Sequence, residues 1–73
     1  MGEVYLQIKS YNRAGFFLSR VIVPVSLVEE VLETKNSIWV QTKRGTITKD
    51  REDDPTGFEA LKRDLDNVFG GVV

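Results

Sequence analysis

Residues 4–11 alternate between apolar and polar side chains. Val4, Leu6 and Ile8 occupy every second position, and this period of two predicts a β-strand with one apolar face. Residues 12–15 run from Asn12 to Gly15, which is typical of a tight turn in which Gly15 takes a positive φ. This stretch therefore predicts the first arm and the turn of a hairpin.

Residues 16–23 are apolar on both faces of a second predicted strand. Such a strand is either central and covered on both sides, or it leaves an apolar patch exposed. Pro24 is expected to end the ladder because it has no N–H to donate. The period of two assigns Phe17, Val21 and Val23 to one face and Phe16, Leu18 and Ile22 to the other.

Residues 25–33 fit two descriptions. Ser26 followed by Glu29 fits a helical capping box, whereas Val31 and Leu32 also suit a short strand that leads into the next hairpin. We expect one helical turn near residues 27–30, followed by a strand near residues 31–34.

A second hairpin is predicted over residues 37–49. Its strands cover residues 37–43 and 46–49, where β-branched residues are frequent, as they are in strands generally. Turns are expected at residues 35–36 and 44–45. The alternation places Ile38, Val40 and Thr42 on one face and Trp39 and Gln41 on the other.

A C-terminal helix is predicted from Asp54 to about Phe69. Asp54 suits the N-cap, with Pro55 at the first helical position, and Thr56 followed by Glu59 offers a second possible cap. The glycines at positions 70 and 71 are expected to end the helix. Its apolar stripe consists of Phe58, Leu61, Leu65, Val68 and Phe69.

These elements predict a single α+β domain over residues 1–73, with an antiparallel sheet of four to five strands and one C-terminal helix packed on one face. A chain of 73 residues buries only ~60% of the surface that its unfolded form exposes. It contains no cysteine and no histidine, so a disulfide or a common zinc site is not expected to stabilise it. Stability must come from a well-packed core, oligomerisation or a partner.

Charge and composition narrow the function. The net charge of −1 gives no global attraction to nucleic acid or to an anionic membrane, and no apolar run is long enough to span a bilayer. The absence of cysteine agrees with a cytoplasmic location. Without histidine, and without a nucleophile or phosphate-binding glycine motif, the chain is expected to be no enzyme and to need no cofactor or metal.

The loop of residues 50–54 alternates acidic side chains at Asp50, Glu52 and Asp54. Such spacing can suit calcium or magnesium, but the calcium loop requires a glycine where Pro55 stands. We interpret the loop as a solvated segment that places negative charge at a helix N-terminus, where the helix dipole favours it.

Two sets of side chains are candidates for binding a macromolecule. Aromatic and arginine residues anchor protein interfaces, and this set contains Tyr5, Tyr11, Arg13, Phe16, Arg20 and Trp39. Basic residues around the second hairpin suit a DNA-binding module instead, or they keep sheet edges soluble; this set contains Lys35, Lys43, Arg44 and Lys49. A self-assembling structural protein is a third class, and the oligomeric state stays open.

The opening residues Met1-Gly2-Glu3-Val4-Tyr5-Leu6, the length of the chain and its order of strands followed by a helix resemble the small transcription regulators of Xanthomonas phages. The resemblance covers the whole chain. It implies a protein in the host cytoplasm that binds a core subunit of bacterial RNA polymerase, with DNA nearby. It also implies that transcription initiation is inhibited sterically, because the protein occupies a surface that sigma factor or promoter DNA needs.

A second similarity is local and covers residues 22–65. The run IVPVSLVEEVLETKNSIWVQTKRGTIT followed by FEALKRDL is similar to LytTR-type DNA-binding domains, in which a proline-preceded turn leads into two strands and a helix. We expect neither that family's receiver domain nor its clear basic readout loop in this chain. This similarity supports the local strand pairing and keeps DNA binding as the alternative function.

Overall fold

A computed structural model describes residues 4–70 of the protein. Its elements, in chain order, are β1 (Tyr5–Tyr11), β2 (Phe17–Pro24), a 3₁₀ turn (Val25–Leu27), β3 (Val28–Glu33), β4 (Ser37–Thr42), β5 (Gly45–Asp50), α1 (Pro55–Leu65) and a π-helical turn (Asp66–Gly70). β1 and β2 form one antiparallel sheet, and β3, β4 and β5 form a second in that order. The α+β class with its C-terminal helix is confirmed, and the five strands divide between two sheets.

The tip of the first hairpin contains a bulge that changes the direction of Phe17. The register between β1 and β2 shifts between Ser10 and Tyr11, so that Tyr11 lies opposite Phe17. The two rings meet edge to face with their centroids 5.9 Å apart. The expectation that Phe17 shares a face with Val21 and Val23 is therefore wrong, because a bulge adds one residue and exchanges the faces beyond it.

Pro24 is the last residue of β2, as predicted, and lies opposite Tyr5. The reason differs from the expected one, because the chain bonds to β1 once more after it: the Val25 N–H donates to the Val4 carbonyl at 2.9 Å. In an antiparallel pair, every second residue turns its N–H and C=O away from the neighbouring strand. Pro24 occupies such a position, so its missing N–H costs the hairpin no hydrogen bond.

The segment between the two sheets turns earlier than expected. The 3₁₀ turn covers Val25–Leu27 and β3 already begins at Val28, whereas the sequence predicted a helical turn near residues 27–30. No side chain caps this turn. Val28 pairs with Thr42 and Val31 with Val40 across β4, and both valines pack against the core. Strand pairing and burial thus outweigh the local capping pattern.

The second hairpin follows its sequence pattern closely. Ile38, Val40 and Thr42 are buried, whereas Trp39 and Gln41 are exposed. The turn forms at residues 43–44, one residue earlier than the predicted 44–45, and Gly45 takes a positive φ of 138° at the start of β5. The period of two therefore assigned both faces of β4 correctly.

The helix begins as predicted, with Asp54 as its N-cap and Pro55 in its first turn. The Asp54 side chain accepts a hydrogen bond from the Gly57 N–H. Phe58, Leu61 and Leu65 are buried, but Phe69 is about half exposed. The apolar stripe ends early because the chain beyond Leu65 adopts a wider π-helical turn, which changes the angle between successive side chains.

One hydrophobic core serves both sheets and the helix. The buried apolar side chains are Leu6, Ile8, Val23, Ile38, Val40, Phe58, Leu61 and Leu65. The helix lies mainly against β1 and also reaches β4 and β5. Within residues 4–70, no helix combines the length and the hydropathy needed to cross a membrane.

Candidate partner-binding surface

The helix closes the outer edge of β1. The Gln7 N–H donates to the Asp64 carboxylate at 2.8 Å, and the Tyr11 N–H donates to the Asp54 carboxylate at 3.0 Å. Both backbone donors point away from β2, in the direction in which a further strand would have to pair. Because two helix-borne carboxylates already occupy these donors, β1 offers no site for strand addition.

Asp54 is held in place from three directions. Its carboxylate accepts hydrogen bonds from the backbone N–H groups of Tyr11 and Gly57 and from the Lys49 ammonium, and the Lys49 ammonium also donates to the Ser10 hydroxyl at 2.9 Å. Burial raises the pKa of Asp54, but these hydrogen bonds and the charge of Lys49 outweigh it, so the pKa lies below its usual value of 3.8. Asp54 is therefore ionised at neutral pH and joins β1, β5 and the helix.

The outer edge of β2 is the open edge of this hairpin. Gln7 lies opposite Ile22, and Lys9 lies opposite Arg20. Because the Gln7 N–H is turned toward the helix, Gln7 and Ile22 form a pair without mutual hydrogen bonds, and the backbone groups of Ile22 also point outward. Arg20 lies two residues from Ile22 on the same strand, so its backbone N–H and C=O also point outward. No strand of residues 4–70 pairs with this edge.

Apolar side chains flank the open edge on both sides. The exposed fractions are 70% for Phe16, 57% for Phe17, 62% for Leu18, 48% for Val21 and 49% for Ile22. The sequence left open whether this strand is covered on both faces or leaves an apolar patch exposed, and the structure shows the second arrangement. Contiguous apolar surface of this kind typically marks an interaction site.

The edge of β3 provides a comparison within the same molecule. β3 also lies at the border of its sheet, but it carries Glu29, Glu30 and Glu33, and charged side chains discourage pairing with another chain. In β2 the only charged residue is Arg20. The open edge of β2 therefore lacks the protection that the edge of β3 has.

The turn of the first hairpin is fixed by Asn12. Its side-chain oxygen accepts hydrogen bonds from the N–H groups of Ala14 and Phe16, each at 2.9 Å. Gly15 takes a φ of 89°, as the sequence predicted. The tip is thus held in one conformation, which projects Arg13 and Phe16 into solvent.

The structure brings five of the six predicted interface residues onto the first hairpin. Tyr5, Tyr11 and Arg20 lie on one face of β1 and β2 according to the register, and Arg13 and Phe16 lie at the tip. Trp39 lies on the second sheet, opposite Leu32 and Thr48. The hairpin and Trp39 are therefore two separate surfaces.

Sequence reasoning missed Phe17 and Ile22 as members of the hairpin surface. Phe17 was assigned to the opposite face, and no signal in the sequence marks the bulge. For Ile22, the one signal in the sequence that it belongs to an exposed surface was that residues 16–23 are apolar on both faces.

The residues of the DNA-binding alternative do not form one patch. Lys49 is buried, and its ammonium is bound to Asp54 and Ser10, so it cannot contact a phosphate. Lys35 lies at one end of β4 and Lys43 at the other. The six residues of β4 lie between them and span about 20 Å.

The acidic loop has structural partners rather than a ligand-like arrangement. Asp50 accepts a hydrogen bond from the Ser37 hydroxyl, and Asp54 caps the helix. Across the part of the chain that the structure describes, no three acidic, cysteine or histidine side chains are grouped so as to hold a metal ion.

A shallow groove of about 230 Å³ runs beside the inner face of β2, and we call it the hairpin groove. It separates β2 from the turn between β4 and β5, where Arg44 lies. Its apolar lining comes from Val21, Ile22, Val23, Leu27 and Ile47.

No protein-family model, curated protein or solved structure matches this chain.

Proposed function

We propose that the protein is a non-enzymatic binding protein whose β2 edge takes up an extended segment of a partner protein. The observation that carries this proposal is the unpaired backbone of Arg20 and Ile22 at an edge flanked by exposed apolar side chains. In strand addition, main-chain hydrogen bonds provide affinity and alternate side chains provide specificity.

The geometry of the hairpin favours this mode over a flat contact. The helix blocks the outer edge of β1 through Asp54 and Asp64, so a partner can pair on one side only. The Asn12 turn fixes the tip before binding, which lowers the entropy lost when the complex forms.

The proposed partner is a core subunit of bacterial RNA polymerase, and the proposed effect is inhibition of transcription initiation in the host cytoplasm. The resemblance to the Xanthomonas phage regulators supports this identity, whereas the open β2 edge supports the mode of binding. The residues proposed to contact the polymerase are Tyr5, Tyr11, Arg13, Phe16 and Arg20 of the hairpin, with Trp39 as a separate contact.

Binding to purified Xanthomonas RNA polymerase core enzyme tests both parts of the proposal. We expect the wild-type chain and Ile22→Val to co-sediment with the enzyme, because both keep the outward N–H of residue 22. Ile22→Pro removes that N–H at a position where the hairpin does not need it, and we expect it to weaken binding at least tenfold. Circular dichroism checks that the fold of each variant is intact.

The possible results test the identity of the partner and the way in which it binds separately. If the wild-type chain does not bind the core enzyme at micromolar concentrations, the polymerase identity is wrong. If Ile22→Pro binds as tightly as Ile22→Val, the partner does not pair with the β2 edge. Trp39→Ala, measured in parallel, shows whether the second sheet contributes to the same contact.

A further inference from the structure

The first hairpin is positively charged, in contrast to the rest of the chain. Residues 4–28 contain Lys9, Arg13 and Arg20 and no aspartate or glutamate. The net charge of the whole chain is −1, so the residues outside this stretch carry −4. The surface proposed to bind a partner is therefore the basic part of an otherwise acidic molecule.

Two of these charges lie directly opposite each other. Lys9 of β1 faces Arg20 of β2 in the register, and like charges in this arrangement destabilise a pair of strands. Of the ion pairs formed within residues 4–70, none includes Lys9 or Arg20. Asp64 borders the same small groove as Lys9, but its carboxylate accepts the Gln7 N–H instead.

A strand added to β2 would place one residue beside this basic pair. Residues that lie opposite each other on neighbouring strands share a face, so the residue facing Arg20 extends the row of Lys9 and Arg20. We infer that the partner segment carries an aspartate or glutamate at this position, an inference that rests on the strand addition proposed above.

The neighbouring rows define the rest of the segment. On the same face, two residues away in either direction, the new strand meets Ile22 on one side and the Phe17 ring on the other. On the opposite face, one residue next to the acidic one lies over Val21 and the hairpin groove, and the other lies over Ser19. The pattern that fits is an acidic residue with an apolar residue two positions away on each side and an apolar neighbour on the Val21 side. An apolar neighbour on both sides satisfies this pattern in either strand direction.

The same charges argue against a second copy of this chain as the occupant. Pairing two β2 strands brings two basic hairpins together, each with Lys9, Arg13 and Arg20 and without an acidic residue to offset them. A segment of another protein with an acidic centre removes the repulsion between Lys9 and Arg20 instead of doubling it.

Nine-residue peptides test the inference on the isolated protein. The probe is Gly-Ser-Ile-Val-Glu-Val-Ile-Ser-Gly, whose symmetric centre fits either strand direction, and its matched controls carry Gln or Lys in place of Glu. Binding is followed by nitrogen-15 NMR, in which the amide signals of Arg20 and Ile22 report on the β2 edge. We expect the Glu peptide to bind at least tenfold more tightly than the Lys peptide, with the Gln peptide between them.

The variant Arg20→Glu reverses the charge on the protein side of the proposed contact. It leaves the backbone edge unchanged, and we expect it to bind the Lys peptide more tightly than the Glu peptide. If all three peptides shift the Ile22 amide with equal affinity, strand addition stands and the acidic preference is wrong. If no peptide shifts it, both proposals fail.

Two further results would overturn the inference in favour of another occupant. Protection of the Ile22 amide without peptide, together with sedimentation that depends on protein concentration, would identify a second copy at this edge. Displacement of the bound Glu peptide by oligothymidine would identify nucleic acid as the ligand of Lys9 and Arg20.

Discussion

The carboxylate of Asp54 connects three elements that are distant in sequence. It accepts the Tyr11 N–H from β1, the Lys49 ammonium from β5 and the Gly57 N–H from its own helix. Lys49 in turn reaches Ser10 on β1. A single side chain thus holds the helix against one sheet and both sheets near each other.

Asp54→Asn is expected to make stability less dependent on pH. The pKa of Asp54 is lower in the folded state than its usual value of 3.8. Its contribution to the free energy of unfolding is therefore fully present above pH 3.8 and is lost as the pH falls through the lower folded-state pKa. At pH 7 we expect the variant to be less stable by about 1.5–3 kcal/mol, because asparagine keeps the cap but loses the charge.

Urea unfolding from pH 7 down to pH 3 measures this difference. The gap between wild type and Asp54→Asn should narrow toward acid. Asp53→Asn changes a neighbouring exposed carboxylate and serves as the control. A constant gap across the whole pH range would show that the ionised state of Asp54 does not stabilise the fold.

Gly57→Ala is expected to destabilise the protein, although alanine usually stabilises a helix. A Cβ at position 57 would lie 2.7 Å from the Lys9 carbonyl oxygen and would also collide with the Asp54 carboxylate. Overpacking of this kind costs about 1–3 kcal/mol, which exceeds the gain in helix propensity of about 1 kcal/mol. Thermal unfolding should show a lower Tm.

Gly70→Ala is the matched control for Gly57→Ala. Its Cβ would meet only the Asp66 side chain, at ordinary van der Waals distances of 3.8 Å and more. We expect its Tm to equal or slightly exceed that of the wild type. A raised Tm for Gly57→Ala would mean that the helix does not approach β1 this closely.

At the scale of elements, β2 is a strand whose hydrogen bonds lie on one side only. Val21 and Val23 face Ile8 and Leu6 across the hairpin, and alternation turns their backbone groups toward β1. Arg20 and Ile22 turn theirs to solvent. The strand is held by its pairing with β1 and by the buried side chain of Val23, while no strand of residues 4–70 pairs with its second side.

Hydrogen exchange gives a direct measure of this one-sidedness. We expect the amides of Val21 and Val23 to exchange slowly and those of Arg20 and Ile22 to exchange much faster, because only the first two donate within the hairpin. NMR-detected deuterium exchange resolves each amide. Equal protection of all four would show that the β2 edge is covered in the free protein.

At the scale of the whole molecule, the helix supplies buried apolar side chains that complete the core of both sheets. An isolated two-stranded hairpin is marginally stable in water, and here Leu6, Ile8 and Val23 are buried in the core that the helix and the second sheet complete. The apolar residues at the hairpin tip and on the β2 edge lie outside this core. A partner can therefore bind them without displacing any part of the fold.

The sequence predicted the features that depend on local periodicity and left out those that depend on long-range contacts. The alternation in β4 and the Asp54–Pro55 start of the helix were predicted correctly, because each arises within a few residues. The bulge that turns Phe17 was not, since one additional residue leaves no mark on a pattern of period two. The contact between Asp64 and Gln7 crosses 57 residues of sequence separation, and no local rule anticipates it.

The candidate surface was likewise predictable where it depends on side-chain chemistry and not where it depends on tertiary structure. Aromatic and basic character pointed to Tyr11, Arg13, Phe16 and Arg20, which the fold brings together on one hairpin. Chemistry alone also selected Trp39, which the division into two sheets places elsewhere. Which edge is open was decided by the position of the helix, a tertiary feature.

The blocked edge of β1 also limits how far the first sheet can grow. A sheet with two free edges can add chains in both directions and extend into a fibre, whereas this one has its β1 edge closed by the carboxylates of Asp54 and Asp64, so that the proposed strand addition is limited to β2. Complexes formed through this sheet should therefore be closed, with one partner segment for each copy of the protein. The helix that stabilises the hairpin therefore also prevents the first sheet from growing beyond β1 into a continuous β-assembly.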